Sequence, residues 1–182
     1  MTHPHMLDPA RTALVVIDVQ ERLMPVIEGG ERVIERCRRL IEGFQILGLP
    51  ILVTEQYPRG LGPTVPALRE ALGEAQIIEK REFSACGCEE FLRASEGHGQ
   101  LLLCGVETHV CVGQTAHEAL EAGHQVHIAA DAVGSRHLEN RQIGLEKMRA
   151  SGAVISTTEI ALFELLRTSA HPQFKAISRL IQ

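Results

Sequence analysis

Six short apolar runs rich in β-favouring residues recur along the chain: "ALVVIDV" (13–19), "PILVTE" (50–55), "QIIEK" (76–80), "QLLLCGV" (100–106), "QVHIAA" (125–130) and "AVIST" (153–157). They are continuous rather than alternating, as expected of parallel strands buried on both faces. Between them the apolar positions move to helical spacing. In "GERVIERCRRLIEGFQILG" (30–48), Val33, Ile34, Cys37, Leu40, Ile41, Phe44 and Leu47 form one stripe and Gly48 supplies a stop. Similar segments end at Gly73, Gly97, Gly123 and Gly152. The alternation predicts an α/β, three-layer Rossmann-like fold: a six-stranded parallel sheet with helices on both faces, in the common order 3-2-1-4-5-6.

No internal repeat, low-complexity tract or interdomain linker interrupts this pattern, so residues 1–182 read as a single domain. The least regular stretch, "EQYPRGLGPTVP" (55–66), follows the second strand and predicts a loop able to cover a site. At the C-terminus, "HPQFKAISRLIQ" places Phe174, Ile177, Leu180 and Ile181 on one helical face, suited to packing on its own sheet or on a neighbour.

Composition narrows the function classes. A net charge of -5 and an isoelectric point near 6.0 argue against a nucleic-acid partner, and the short basic run "ERCRR" (35–39) lies on a helix. The longest apolar stretch, "ALVVI" (13–17), is far short of the roughly 18 residues that span a bilayer. The opening "MTHPHMLDPAR" lacks the pattern of an export signal. Five cysteines, at 37, 86, 88, 104 and 111, form no paired framework. The expectation is a soluble cytoplasmic protein with a small-molecule substrate and no membrane partner.

Ligands of open parallel sheets bind beyond the carboxyl ends of the strands, where the strand order reverses. Three chemically capable residues fall on that edge. Asp18 ends the first strand, Lys80 ends the third, and Cys111 begins the helix after the fourth. A thiol in the first turn of a helix feels its positive end, which predicts a lowered thiol pKa. An Asp to take the thiol proton, a Lys to hold that Asp ionised and a Cys nucleophile make a coherent triad. Gln20, Tyr57 and Phe83 are candidates by position for lining the substrate pocket, with core or lid packing the equal alternative for Tyr57 and Phe83. His109, two residues before Cys111, is a competing base.

"VVIDVQERL", "VTEQYPRGLGPTV", "EKREFSA", "LCGVETHVCVGQTA", "DAVGSR" and "KMRASGAVISTTE" closely resemble the isochorismatase-like (cysteine hydrolase) superfamily, in its isochorismatase-domain-containing branch, over nearly the whole chain. The resemblance implies a six-stranded parallel sheet and an Asp-Lys-Cys triad at Asp18, Lys80 and Cys111. It further implies a cis peptide between Val106 and Glu107, an oxyanion hole from the backbone N–H groups of Glu107 and Cys111, and homo-oligomers. The activity it implies is hydrolysis of a small amide or related C–N bond through a Cys thioester.

Departures from the superfamily sharpen this. Its nicotinamidases carry a metal-binding Asp-x-His after the second strand, where this chain has Glu55-Gln56-Tyr57; no metal and no other cofactor is expected. True isochorismatases typically lack the cysteine, so Cys111 speaks against an isochorismate-type vinyl-ether hydrolase. A catalytically idle or redox-responsive oligomer with an oxidisable Cys111 is the other alternative. Competing motifs are weak. There is no G-x-G-x-x-G or G-K-[ST]. The position six beyond Cys111, where a phosphatase loop needs Arg, is His117, and the short "CGC" (86–88) has no partner pair for zinc.

Overall fold

The computed structural model describes residues 3, 5–73 and 75–182. Six parallel strands lie in the order β3-β2-β1-β4-β5-β6: β1 Thr12–Ile17, β2 Ile51–Gln56, β3 Ile77–Lys80, β4 Gln100–Val106, β5 Gln125–Gly134 and β6 Val154–Ser156. The order reverses between β1 and β4, which pair from Thr12↔Gln100 to Ile17↔Gly105. The helices are α1 Gly30–Leu47, α2 Pro58–Leu61, α3 Pro66–Leu72, α4 Glu89–Ser95, α5 Gly113–Glu121, α6 Leu138–Ala150, α7 Thr158–Leu166 and α8 Phe174–Leu180.

The strands read as unbroken apolar runs because each serves two cores. Leu14, Val16, Leu102 and Cys104 pack with residues of α1, α3, α7 and α8. Their neighbours Ala13, Val15, Ile17, Leu101 and Leu103 pack with residues of α4, α5 and α6. The period of two along a strand thus divides one apolar run between opposite faces. On α1 the stripe Val33, Cys37, Leu40, Ile41 and Phe44 is buried, each larger side chain contributing roughly 1.5–3 kcal/mol of transfer free energy. The helix stops at Gly48, whose φ of 67° lets Leu49 N–H reach Phe44 O at 2.8 Å.

Two segments depart from the sequence pattern, and a third takes one of the two placements the pattern allowed. β5 runs on to Gly134 because a register shift between Leu103 and Gly105 accommodates extra residues, after which Gly105 pairs with Val133. Asp131 in that bulge hid the continuation, and its carboxylate caps α7 by accepting from Thr158 N at 2.7 Å. The 55–66 loop is pinned down: Thr64 and Val65 are buried, and Gln20 bridges to Thr64. The apolar face of α8 is satisfied within the chain, with Ile177 buried and Phe174, Leu180 and Ile181 packed on the α1 core. Among the described residues no helix is long and apolar enough to cross a membrane.

His127 on β5 is fully buried, and neither ring nitrogen has a hydrogen-bond partner among the described residues. Burial pushes its pKa down from 6.5 to about 4. The unfolded chain therefore binds the extra proton first, so stability is full above pH 6.5 and falls as pH drops toward 4. The loss should approach about 3 kcal/mol, at about 1.4 kcal/mol for each tenfold difference in proton affinity between the folded and unfolded chain. Urea unfolding from pH 7 to pH 4 on the wild type and His127→Leu measures this contribution as the difference in slope. Parallel curves would show that His127 does not contribute it.

Candidate active site

The carboxyl edge of the sheet brings Asp18, Lys80 and Cys111 together. Asp18 follows β1 with a φ of 53°, in the left-handed region that a non-glycine residue occupies only when its surroundings hold it there. Its N–H donates to Thr54 O at 3.1 Å. Its Oδ1 accepts from Thr54 Oγ1 at 2.7 Å, and its Oδ2 accepts from Lys80 Nζ at 2.7 Å. Both side chains of the ion pair are 0% exposed.

Lys80 ends β3, so it must reach past β2 to meet Asp18 on β1. Gln56, paired with Lys80 in the β2–β3 register, supports that reach. Lys80 Nζ donates to Gln56 Oε1 at 2.8 Å and to Phe83 O at 3.0 Å, with Glu82 O at 3.3 Å. A buried ammonium is tolerable here because each of its protons has an acceptor and a carboxylate lies against it. Thr54 and Gln56 were not singled out in the sequence. Their i, i+2 spacing at the end of a strand is the signal that places both on one face.

Cys111 sits in a π-helical turn, Thr108–Val112, that leads into α5, and its residue is 7% exposed. Burial, and next the Asp18 carboxylate, push its thiol up to about 12, while Lys80 pulls the other way. The direction is opposite to the lowered pKa expected from the helix terminus: desolvation and a neighbouring anion both favour the neutral thiol. At neutral pH the proton resides on sulfur, beside a carboxylate.

The turn is fastened to the end of β5 by three consecutive side chains. Glu107 accepts from Arg136 N at 3.1 Å and from Arg136 Nε at 3.1 and 3.2 Å. Thr108 Oγ1 donates to Gly134 O at 2.9 Å. His109 Nδ1 meets Ser135 Oγ at 3.1 Å, so that ring nitrogen is engaged by a hydroxyl. The peptide between Val106 and Glu107 is cis.

The three pocket residues read from position divide. Gln20 is 0% exposed. Its Nε2 donates to Gln56 O at 3.0 Å and Gly62 O at 2.6 Å, and its Oε1 accepts from Gln56 N at 2.8 Å. It braces the 55–66 loop and offers no free group to a ligand. Tyr57 is 45% exposed with the Arg81 guanidinium 5.3 Å from its ring centre. It lines a cleft of about 380 Å³ with Arg59, Lys80 and Arg81. Phe83, 54% exposed, stands outside that cleft, beside the backbone that receives Lys80. The carboxylate of Glu55 accepts from Thr64 N at 2.6 Å and Thr64 Oγ1 at 2.7 Å. Among the described residues no cluster of three or more His, Cys, Asp or Glu stands close enough to hold a metal ion.

The family profile of the isochorismatase domain matches residues 12–160. Isochorismatase domain-containing protein 1 of Danio rerio is 39% identical over 178 residues, covering 97% of this chain, which spans 62% of that longer protein. Among solved structures, the MAR1 ribonuclease of Caenorhabditis elegans superposes with a TM-score of 0.93 at 39% identity, covering 97% of this chain and 92% of that one. The YcaC gene product of Escherichia coli, described as an octameric hydrolase of unknown specificity, superposes with a TM-score of 0.91 at 26% identity, covering 97% and 89%.

Proposed function

This chain belongs to the isochorismatase domain family of hydrolases, and from that premise we propose that it hydrolyses the C–N bond of a small amide or carbamoyl compound through Cys111. The observation that carries the reading is the pairing of a buried Asp18–Lys80 ion pair, 2.7 Å apart, with a protonated thiol raised to about 12. A thiol in that state needs a base at the moment of attack, and Asp18 is the adjacent one.

In the first half-reaction the S–H proton passes to Asp18 as sulfur bonds to the carbonyl carbon. The backbone N–H groups of Glu107 and Cys111 hold the resulting oxyanion. The tetrahedral adduct then collapses, the C–N bond breaks, and Asp18 returns the proton to the departing amine. In the second half-reaction Asp18 takes a proton from water as its oxygen attacks the thioester. The C–S bond breaks, and the thiolate recovers that proton from Asp18 to leave the free acid. Lys80 keeps Asp18 oriented throughout, through the contacts it makes to Gln56 Oε1 and Phe83 O.

Turnover of primary amides, carbamoyl compounds and isochorismate by the purified protein tests this, with acid quenching and peptide mass mapping of Cys111. The expected result is a substrate-derived acyl mass on Cys111 and no turnover by Cys111→Ala. Turnover that survives Cys111→Ala would overturn it and favour vinyl-ether chemistry. The name of the C. elegans relative favours a second reading, RNA hydrolysis. RNA belongs in the same panel, and cleavage lost in Asp18→Asn, without any acyl adduct, would replace the amide reading. The octameric relative supports assembly of this chain into a homo-oligomer. Light scattering should give a mass several times 20 kDa, and a concentration-independent monomer would reject it.

A further inference from the structure

The turn that bears Cys111 is held by contacts outside the triad. Glu107, Thr108 and His109 reach Arg136, Gly134 and Ser135, three contacts between two short segments of the chain. The first contact differs from the others in being charged. The Glu107 side chain is only 11% exposed, yet it carries a carboxylate, and a charge in that setting is costly unless it is paired and hydrogen-bonded. Arg136 supplies both a backbone N–H and Nε, so the carboxylate grips backbone and guanidinium together. Glu107 O in turn accepts from Val110 N at 3.0 Å and Val112 N at 3.2 Å, on either side of Cys111. One residue therefore ties the start of the Cys111 turn to the segment just after β5 by its side chain and closes the turn by its carbonyl.

We propose that Glu107 is a positioning residue for the acyl-transfer step, its carboxylate clamping Arg136 so that its own N–H and the Cys111 turn are held in the geometry that receives an oxyanion. The inference rests on the proposed Cys111 chemistry. It requires only that the clamp fix a direction in which a displacement of an ångström matters, a condition under which misplacement costs about 10²-fold in rate. The neighbouring contacts, Thr108 to a carbonyl and His109 to a hydroxyl, hold the turn close to β5. They do not hold the peptide of Glu107 itself.

The test compares two reactions of the same thiol. Iodoacetamide alkylates Cys111 by displacement of iodide and develops no oxyanion at a carbonyl, whereas p-nitrophenyl acetate acylates it through one. Both rates are read by mass mapping at Cys111 in the wild type, Glu107→Gln, Glu107→Ala and Arg136→Ala. The ratio of acylation to alkylation should fall about 10²-fold in Glu107→Ala and by less in Glu107→Gln, which keeps one acceptor oxygen. Arg136→Ala should fall between wild type and Glu107→Ala, because the backbone N–H of residue 136 remains. The double variant should be no worse than Glu107→Ala, as for residues acting through one another. Arg136 is half-exposed, with its side chain 56% accessible, so its variant carries the test if Glu107→Ala does not fold. A ratio unchanged in all three variants overturns the clamp while leaving Cys111 chemistry standing. A wild type that alkylates but is never acylated at Cys111 overturns the proposed hydrolase reading and the clamp with it.

Discussion

Asp18→Asn is expected to lower acylation of Cys111 by roughly 10²- to 10⁴-fold, the usual cost of losing a general base, and to lose stability as well, since the buried Lys80 ammonium keeps a hydrogen-bond acceptor but no counter-charge. The amide keeps the shape of the carboxylate: its one oxygen can still accept from Lys80 Nζ, and its NH2 can donate to Thr54 Oγ1, the two groups that lie 2.7 Å from the carboxylate oxygens. It cannot accept the thiol proton, and a thiol raised to about 12 supplies almost no thiolate of its own at neutral pH. Lys80→Met should lose activity by another route. It leaves the Asp18 carboxylate, fully buried, without its cation, and breaking a buried pair in this way costs about 3–5 kcal/mol of stability. The combination of the two substitutions separates the effects. Without the carboxylate there is no uncompensated charge, so Asp18→Asn/Lys80→Met should regain part of the stability that Lys80→Met loses, with activity no better than the worse single variant. Urea midpoints and acylation rates on the three proteins check both halves. A Lys80→Met protein as stable as wild type would show that the ion pair does not carry this energy. Full acylation by Asp18→Asn would place the base elsewhere.

Much of this arrangement is legible in the amino-acid sequence. Unbroken apolar runs separated by helical stripes specify a parallel sheet covered on both faces, and that sheet presents the chain ends of β1, β3 and β4 along one edge. The placement of Asp18, Lys80 and Cys111 follows from topology, which local pattern encodes well. What the pattern misses depends on partners distant in sequence. Gln20 looks like a pocket residue because it follows Asp18 by two, yet its amide is consumed by the backbone of residues 56 and 62. The thiol of Cys111 looks acidic from its helical position, but its environment is set by the depth of burial and by a carboxylate 93 positions earlier in the chain. The pairing of Glu107 with Arg136 spans 29 positions, and nothing in either local segment announces it. Periodicity reports which face a side chain takes. It does not report which group will meet it there.

The same edge depends on one glycine whose replacement should be among the most damaging single-methyl changes in the chain. Gly105 has a φ of 111° and pairs with Ile17, the residue before Asp18, where β1 and β4 run side by side at the reversal of strand order. A Cβ on Gly105 would lie 2.0 Å from Ile17 O and 2.8 Å from both Ile17 C and Ile17 N. These are backbone atoms of a central strand, so no side-chain rotation relieves the contact, and the two strands must part where they position Asp18 and Glu107. Gly105→Ala therefore combines an unfavourable φ with overpacking against backbone, which puts it in the range above about 4 kcal/mol. For a chain of this size that corresponds to a drop in Tm of roughly 8–16 °C. Gly123→Ala is the control, since Gly123 shares a positive φ, 90°, but a Cβ there would meet nothing within 4 Å. That variant should lose only about 1–2 kcal/mol. The difference between the two Tm values isolates the strand contact from the backbone strain. If Gly105→Ala melts no lower than Gly123→Ala, β1 and β4 can separate at this point without cost, and their close approach does not hold the site together.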